Sequence, residues 1–455
     1  MSRLKYIFTI ITLQSLFSAG ICSAADISFK GTSKKVIDIE PEKDTGLDEI
    51  YVLYNMEGVS ISYNSSSSSI PKWYRYSNLG GGYAEEISDI DYSDGVSTLH
   101  NPSGDMGYII EDNDSRTYFW IVDYSQHQLR LNSVTPSSTQ ECETTILDVD
   151  ADASAIHYYT INGRQMTLDR ELKVTYDNLE WNEDSRQYIQ QEIVKNLSDI
   201  NSTITLMPAV FCTTTFTISG DRFLKEWGSE IKIESTTFTP NAVECHTIAE
   251  SDNDDSEKDN LIKVDSDGAL GGSAPATIRF YSYVTDAVIH NEWQMADDED
   301  FENITYRFNE QDLEYTFTEE GVTYVRYIGS NSDGSCETYG DTYTISIGAS
   351  DLKIPNAFSP GDDGINDIWK VAYRSLLDFE CWIFDRNGNQ MYHYDKPEGG
   401  WDGKYKGKYV KPGVYYYVIQ ATGADGKKYK KSGDINIIRY KGNGSGNGGN
   451  TTPVE

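Results

Sequence analysis

Positive charge is scarce in this chain: 38 Lys and Arg stand against 72 Asp and Glu over 455 residues, a net charge of −34. A surface of that sign repels nucleic acid and anionic membranes, so neither is expected as a partner of the acidic part. Histidine is rarer still. The six residues, His100, His127, His157, His246, His290 and His393, form neither an H-E-x-x-H nor an H-x-H pair, which leaves a metallohydrolase without sequence support. There is no G-x-S-x-G nucleophile elbow and no phosphate-cradling glycine loop. Among 72 acidic residues any carboxylate pair arises by chance, so none is singled out for glycoside cleavage. The reading is therefore non-enzymatic, with no catalytic residue named. Cysteine is sparse, and no two cysteines have C-x2-C or C-x4-C spacing, which disfavours a zinc site.

Long helical patterns are missing as well. No long stretch keeps a 3.6-residue apolar period, while 37 Gly, 12 Pro and 33 Tyr favour strands and turns, so the class is all-β. One stretch stays open: Ser185 to Ile200, SRQYIQQEIVKNLSDI, reads equally as a short amphipathic helix or a strand. Only one long apolar run exists, Tyr6 to Ile21, preceded by Arg3 and Lys5 and followed by Cys22, Ser23, Ala24 and Ala25. That is the pattern of a secretory signal peptide over residues 1–24, cleaved after Ala24 or Ala25. Thr9, Thr12, Gln14 and Ser15 inside the run argue against a membrane span. Ile21 before Cys22 argues against lipid anchoring. The remainder is long enough for three or four domains.

The most informative stretch is Ile354 to Asp367, IPNAFSPGDDGIND. Pro355 and Pro360 exclude a helix, and the Gly, Asp and Asn residues from Gly361 to Asp367 demand a tight polar loop after an extended entry. Three further blocks follow: Ile383 to Gly388 with Arg386, the turn Trp401-Asp402-Gly403-Lys404, and Pro412-Gly413 leading into Val414, Tyr415, Tyr416 and Tyr417. Gly433 to Arg439, GDINIIR, reads as a closing strand. In this order and spacing the blocks closely resemble the gliding-motility-associated C-terminal domain, the type B sorting domain of the type IX secretion system of Bacteroidetes. The residues carrying the resemblance are Ile354, Pro355, Asn356, Phe358, Pro360, Asp363, Gly364, Asn366, Asp367, Arg386, Gly388, Trp401, Asp402, Gly403, Pro412, Gly413, Tyr415, Tyr416, Gly433 and Arg439. The resemblance implies a small β-sandwich. It also implies two partners, an outer-membrane β-barrel translocon and the small membrane protein that type B domains require, and a secreted or cell-surface location. The chain departs from the family at Gly361-Asp362, where Asn-Gly is usual, and in its extension from Lys441 to Glu455.

Elementary patterning agrees with a sandwich. In VYYYVI, Val414, Tyr416 and Val418 share one face and Tyr415, Tyr417 and Ile419 the other, which predicts a strand covered on both sides. Trp401 is expected in the core and Asp402-Gly403 in its turn. From Asp351 onward 15 Lys and Arg meet 13 Asp and Glu, so the acidity belongs to the preceding body. Its run Glu250 to Asp259, ESDNDDSEKD, reads as a mobile loop between strands.

Ala274 to Ile347 resembles the PKD-like branch of immunoglobulin-like folds, carried by Ser273-Ala274-Pro275, Trp293 as core residue, and the strand, turn and strand from Tyr315 to Tyr324. Residues from Asn132 to Ile233, with the strands STITLMP and TTTFTISG, read as another immunoglobulin-like module. The expected organisation is a β-rich domain over 25–131, sandwiches over 132–236 and 237–350, the sorting domain over 351–440 and a disordered Gly/Asn-rich tail over 441–455. The fold class is thus tandem immunoglobulin-like β-sandwiches with a small C-terminal β-sandwich.

On these boundaries Cys142 and Cys212 fall in one domain and Cys245 and Cys336 in the next, so one disulfide per domain is expected. Cys381 alternates with Phe379 and Ile383 and is expected as a small buried hydrophobe. Two binding readings remain. Asp362, Asp363, Asn366 and Asp367, with Asp385, offer oxygen ligands for calcium. Trp73, Tyr74, Tyr76 and Tyr83 offer an aromatic platform for a carbohydrate of a cell or host surface. The leading reading is a binding, adhesion or structural module. The competing ones are a carbohydrate-binding adhesin using those aromatics and a hydrolase with its site between domains.

Overall fold

The computed structural model describes residues 27–65, 69–197, 200, 202–252, 258–263, 269–361 and 364–438. The signal-peptide reading and the tail from Lys441 lie outside these residues, as do Asp362, Asp363 and Arg439.

Continuous apolar runs such as EIYVL, MGYIIED and TYFWIVD call for a sheet buried on both faces. The first domain supplies it. Its six-stranded sheet runs Ile37–Ile39, Glu49–Leu53, Ser115–Asp123, Met106–Asp112, Lys72–Tyr76, Glu85–Ile87, with Glu49–Leu53 parallel to Ser115–Asp123. One face packs Trp73, Tyr108, Phe119 and Ile121 against the four-stranded sheet of Ile27–Lys30, Ser60–Asn64, Val96–His100 and Asp91–Ser93. The opposite face, with Val52, Tyr76, Trp120 and Val122, packs against Ile156, Tyr158, Leu168, Phe223 and Trp227. Those partners belong to the next domain, from its hairpin Ile156–Tyr159 and Gln165–Leu168, its short helix Arg222–Glu226 and Trp227, which caps that helix.

An ion pair sits in this junction. Arg170 and Asp221 are almost wholly buried; Arg170 donates Nε to Asp221 Oδ2 at 2.9 Å, with its Nη2 2.7 Å from the same oxygen in the ion pair. Tyr124 Oη of the first domain donates to the same oxygen at 3.0 Å. Arg170 also donates to the carbonyls of Ser154 and His127, and Asp221 Oδ1 caps the helix by accepting from Leu224 N. Every charge taken out of water here is met by several hydrogen bonds, which is what makes such burial tolerable.

The second domain pairs a three-stranded sheet, Arg130–Pro136, Thr145–Asp152, Thr203–Leu206, with a four-stranded one, Gln187–Leu197, Leu172–Asn182, Thr217–Gly220, Ile231–Glu234. Leu147, Val174, Tyr176, Leu206, Phe216 and Ile218 fill the space between them. Gln187–Leu197 settles the open stretch as a strand, in register with Leu172–Asn182 over its full length. The end of that long hairpin reaches the third domain, where Trp181 stacks on His246 with centroids 4.4 Å apart.

The third domain closes the sheet Cys245–Ser251, Ala276–Val284, Leu313–Phe317 over the sheet Leu270–Gly272, Tyr343–Ile347, Gly321–Ser330, His290–Ala296, Ile304–Phe308. Trp293 lies fully buried between them, donating Nε1 to Gln311 O at 2.9 Å. The fold is all-β, a series of immunoglobulin-like sandwiches.

The expected disulfides do not form. Cys142 is joined to Cys336, a bridge between the second and third domains, while Cys212, Cys245 and Cys381 are free and buried. Assigning one bridge per domain failed because Cys212 and Cys245 are core residues of their sandwiches and Cys142 sits in the loop facing the next domain. Cys381 is the buried hydrophobe expected.

Replacing Asp221 by Ala leaves Arg170 buried and uncompensated, and should lower unfolding stability by about 3–5 kcal/mol in chemical denaturation. Burial pushes the Cys245 thiol up to about 11 and the Cys381 thiol up to about 12. The native protein should therefore leave all three thiols unreactive towards a thiol reagent at pH 8, with three titrating after denaturation. Non-reducing peptide mapping should recover Cys142 linked to Cys336.

Candidate functional site

Residues 351–438 build a five-stranded sheet in the order Ala357–Phe358, Lys428–Ile437, Gly413–Gly423, Leu376–Phe384, Gln390–Tyr394. The IPNAFSP segment enters it. Pro355 O accepts from Trp369 Nε1 at 2.8 Å, Asn356 O accepts from Asn436 N at 2.8 Å, and Ala357–Phe358 runs parallel to Asn436 and Ile437. Ile354 packs against the core and Phe358 is buried, its ring 5.6 Å from that of Trp401. The loop then folds back, with Ser359 N donating to Asn366 O and Gly364 N to Asp367 Oδ2.

Trp401 is the centre of this arrangement. It is fully buried, exchanges backbone hydrogen bonds with Trp369, and lies 5.3 Å from Tyr415. Asp402 Oδ1 accepts from Lys404 N at 3.0 Å, closing the turn. Gly403 has φ of 73°, and a Cβ there would fall 2.8 Å from Pro360, so the first block and the WDGK turn meet at a position that only glycine fits. Tyr415 Oη donates to Lys411 O just before Pro412-Gly413, and a Cβ at Gly433 would strike Tyr417. The matched blocks thus converge on one core.

Arg386 does not join them. It stands exposed at the tip of the Asp385 to Asn389 turn, with Gly388 at φ of 82°. The Asp385 carboxylate accepts from the Asn389 side chain and from the N–H groups of Asn387 and Asn389, which hold it below the usual carboxylate range. Asp385 is therefore spent on its own turn and offers the calcium reading little. Of the other proposed ligands, Asp362 and Asp363 lie outside the described residues, Asn366 has φ of 53°, and Asp367 Oδ1 is buried without a hydrogen-bond partner among the described residues. Among the described residues no group of three or more His, Cys, Asp or Glu could hold a metal.

Two expectations about aromatic faces are corrected. Trp73 and Tyr76 do not form a platform: they point to opposite faces of the doubly covered sheet and both are buried, Trp73 donating to Ser97 Oγ at 3.0 Å. Tyr74 is half-buried against the inner core and Tyr83 stands apart, 94% exposed. The strand Gly413–Gly423, conversely, is covered by the described residues on one face only. Tyr415 and Ile419 are buried, but Val414, Tyr416 (45% exposed) and Val418 lie open, flanked by half-buried Trp382 and Phe384.

The docking of this domain on the third was missed in the sequence. At and just after the end of the acidic run, Lys370 pairs with Asp259 at 2.8 Å, Asn260 donates to Val371 O and Pro397 O, and Ile262 N donates to Tyr373 O. Ser375 Oγ donates to Gly348 O and accepts from Ala274 N, and Ser375 N donates to Ser273 Oγ. The run read as a mobile loop therefore ends in anchors; its residues 253–257 lie outside the described ones. Between the two domains a cleft of about 600 Å³ carries Asp395 and Glu398, the latter accepting from Tyr373 Oη at 2.8 Å.

Comparison of the sequence with family models decides what this domain resembles. Residues 352–437 match the CHU_C type IX secretion signal domain. Residues 133–235 match a fibronectin type III domain. A comparison with curated proteins finds no match. Similar solved structures include a 1.5-MDa bacterial ice-binding adhesin, at 9% identity over 69% of this chain and 98% of that one with a TM-score of 0.20. The chicken CNTN1 FN1-FN3 domains match at 9% identity over 69% and 97% with a TM-score of 0.19, and dimeric latent PorU from Porphyromonas gingivalis at 9% over 72% and 36% with 0.16. At these TM-scores the superpositions carry no argument.

In the secretion signal domain, Trp401→Ala should cost about 3–5 kcal/mol and raise amide exchange across Gly413–Gly423, whereas Tyr416→Thr, on the open face, should cost less than about 1 kcal/mol.

Proposed function

We propose that this chain is exported through the type IX secretion system and that its three-domain body works at the cell surface or in the medium as a non-enzymatic binding, adhesion or structural module. The observation that carries the reading is the match of residues 352–437 to the secretion signal domain, with the matched blocks meeting at Trp401, Gly403 and Pro360. On this reading residues 1–24 take the chain across the inner membrane, and the C-terminal domain is read by the outer-membrane translocon and its type B partner. The body comprises residues 25–131, 132–236 and 237–350, the last of PKD-like or immunoglobulin-like kind. Its acidity, −34 overall against a nearly neutral C-terminal domain, suits a solvated extracellular surface.

The test is localisation of the full chain and of a chain ending at Ser350 in a type IX-competent host and in a strain lacking the system. Surface or medium accumulation is expected for the full chain in the competent strain alone. Equal retention of both chains in both strains would overturn the reading. Because Asn260 and Ser273 help to hold the signal domain, a reporter fused to residues 237–455 should be exported more efficiently than one fused to 353–455.

A further inference from the structure

The outer face of the larger sheet of the third domain bears a cavity of about 560 Å³, within the range of small-molecule sites. Along His290–Ala296, Trp293 and Met295 point into the core, so His290, Glu292 and Gln294 point outward. An outward side chain on a sheet face is ordinarily solvated, yet Gln294 is only 4% exposed. The cause is the loop after this strand. Asp298 accepts from the N–H groups of Glu302 and Asn303 at 2.8 Å, and the loop lays buried Phe301, at φ of 56°, over Arg326 with 4.0 Å from guanidinium to ring centroid. One end of the face is roofed while the other is open.

Under that roof the polar side chains are fixed in sequence. Arg326 donates Nε and Nη2 to Gln294 Oε1 at 3.0 and 2.9 Å. Since guanidinium only donates, the Gln294 amide must turn its Nε2 the other way, and it donates to Glu292 Oε1 at 2.5 Å. Arg307 Nη1 donates to the same oxygen at 2.5 Å. Glu292 Oε2 and the Nε and Nη2 groups of Arg307 then have no protein partner among the described residues. His290, Asn291, Asn309, Ser330 and Glu337 complete the polar lining. Next to the lining, across the sheet from Ile328, Tyr339 is 56% exposed, its ring held by Arg326 beside it and by its Oη donating to Glu337 at 2.8 Å.

We propose that this cavity binds a neutral saccharide. The Glu292 and Glu337 carboxylates and the Arg307 guanidinium share this small lining, so an ion of either sign would meet its like at close range. A hydroxyl, by contrast, donates and accepts at once and can bridge Glu292 Oε2 and the Arg307 fork. The Tyr339 ring supplies the apolar surface on which a pyranose face stacks. The proposal rests on the reading of the body as a binding module outside the cell, and deepens it.

The test uses purified residues 25–455 and affinity electrophoresis in gels containing neutral β-glucan, xylan, mannan or polygalacturonate, followed by titration with the matching hexasaccharide. Retardation by at least one neutral polysaccharide is expected. Glu292→Gln and Tyr339→Ala should each weaken hexasaccharide binding at least tenfold, with the thermal transition kept as the check of folding. Retardation by none of the neutral polymers, binding that both variants leave unchanged, or preference for polygalacturonate would each overturn the assignment. The assay needs no export, so its failure is distinguishable from a failure of the localisation experiment.

Discussion

The architecture turns on one buried charge pair. Arg170 and Asp221 lie almost wholly buried where the second domain meets the first, and removing either would leave the other's buried charge without its partner. Tyr124 and the carbonyls of Ser154 and His127 complete their hydrogen bonding, so the pair has one geometry in which it is satisfied. An apolar contact of the same area would tolerate small rotations between the domains; this network does not. Around it Trp120, Tyr124, Phe223 and Trp227 make a continuous core from two domains, so the six-stranded sheet never presents an outer face.

The remaining junctions follow the same pattern by other means. The second and third domains are joined by the Cys142–Cys336 bridge and the stacked Trp181 and His246. The third domain and the secretion signal domain are joined by backbone groups of each reaching side chains of the other at Asn260, Ser273 and Ser375. The signal domain is thus seated on its neighbour, and what a secretion apparatus meets is a surface fixed relative to the cargo.

Much of the fold was legible because short-range physics decides it. Alternation marked the strands, its turn placed Trp401 in a core, the resemblance to PKD-like sandwiches placed Trp293 in one, and IPNAFSPGDDGIND announced its domain outright. What was not legible depended on distant segments. Trp73 and Tyr76 looked like a platform because a sequence does not show that a second domain covers the face Tyr76 points to. Val414, Tyr416 and Val418 looked buried because apolar residues on both faces usually mean two covers, and here the described residues supply only one. The cysteine pairing failed for a related reason: composition assigns residues to domains but cannot say which loops face each other. Glu292, Gln294 and Arg326 carried no signal, since polar residues at alternate strand positions read as a solvated face until the Phe301 loop is placed over them.

The bridge between Cys142 and Cys336 also sets how the molecule would carry mechanical load. It closes a covalent loop across a sequence separation of 194 residues. Tension applied between the two ends of the chain would run through the sulfur–sulfur bond and bypass residues 143–335, which include most of the second and third domains. That loop would withhold about 650 Å of extended chain from the pulling direction. Under shear the two domains could not be drawn out like beads on a string, because the chain between the two cysteines stays out of the line of load.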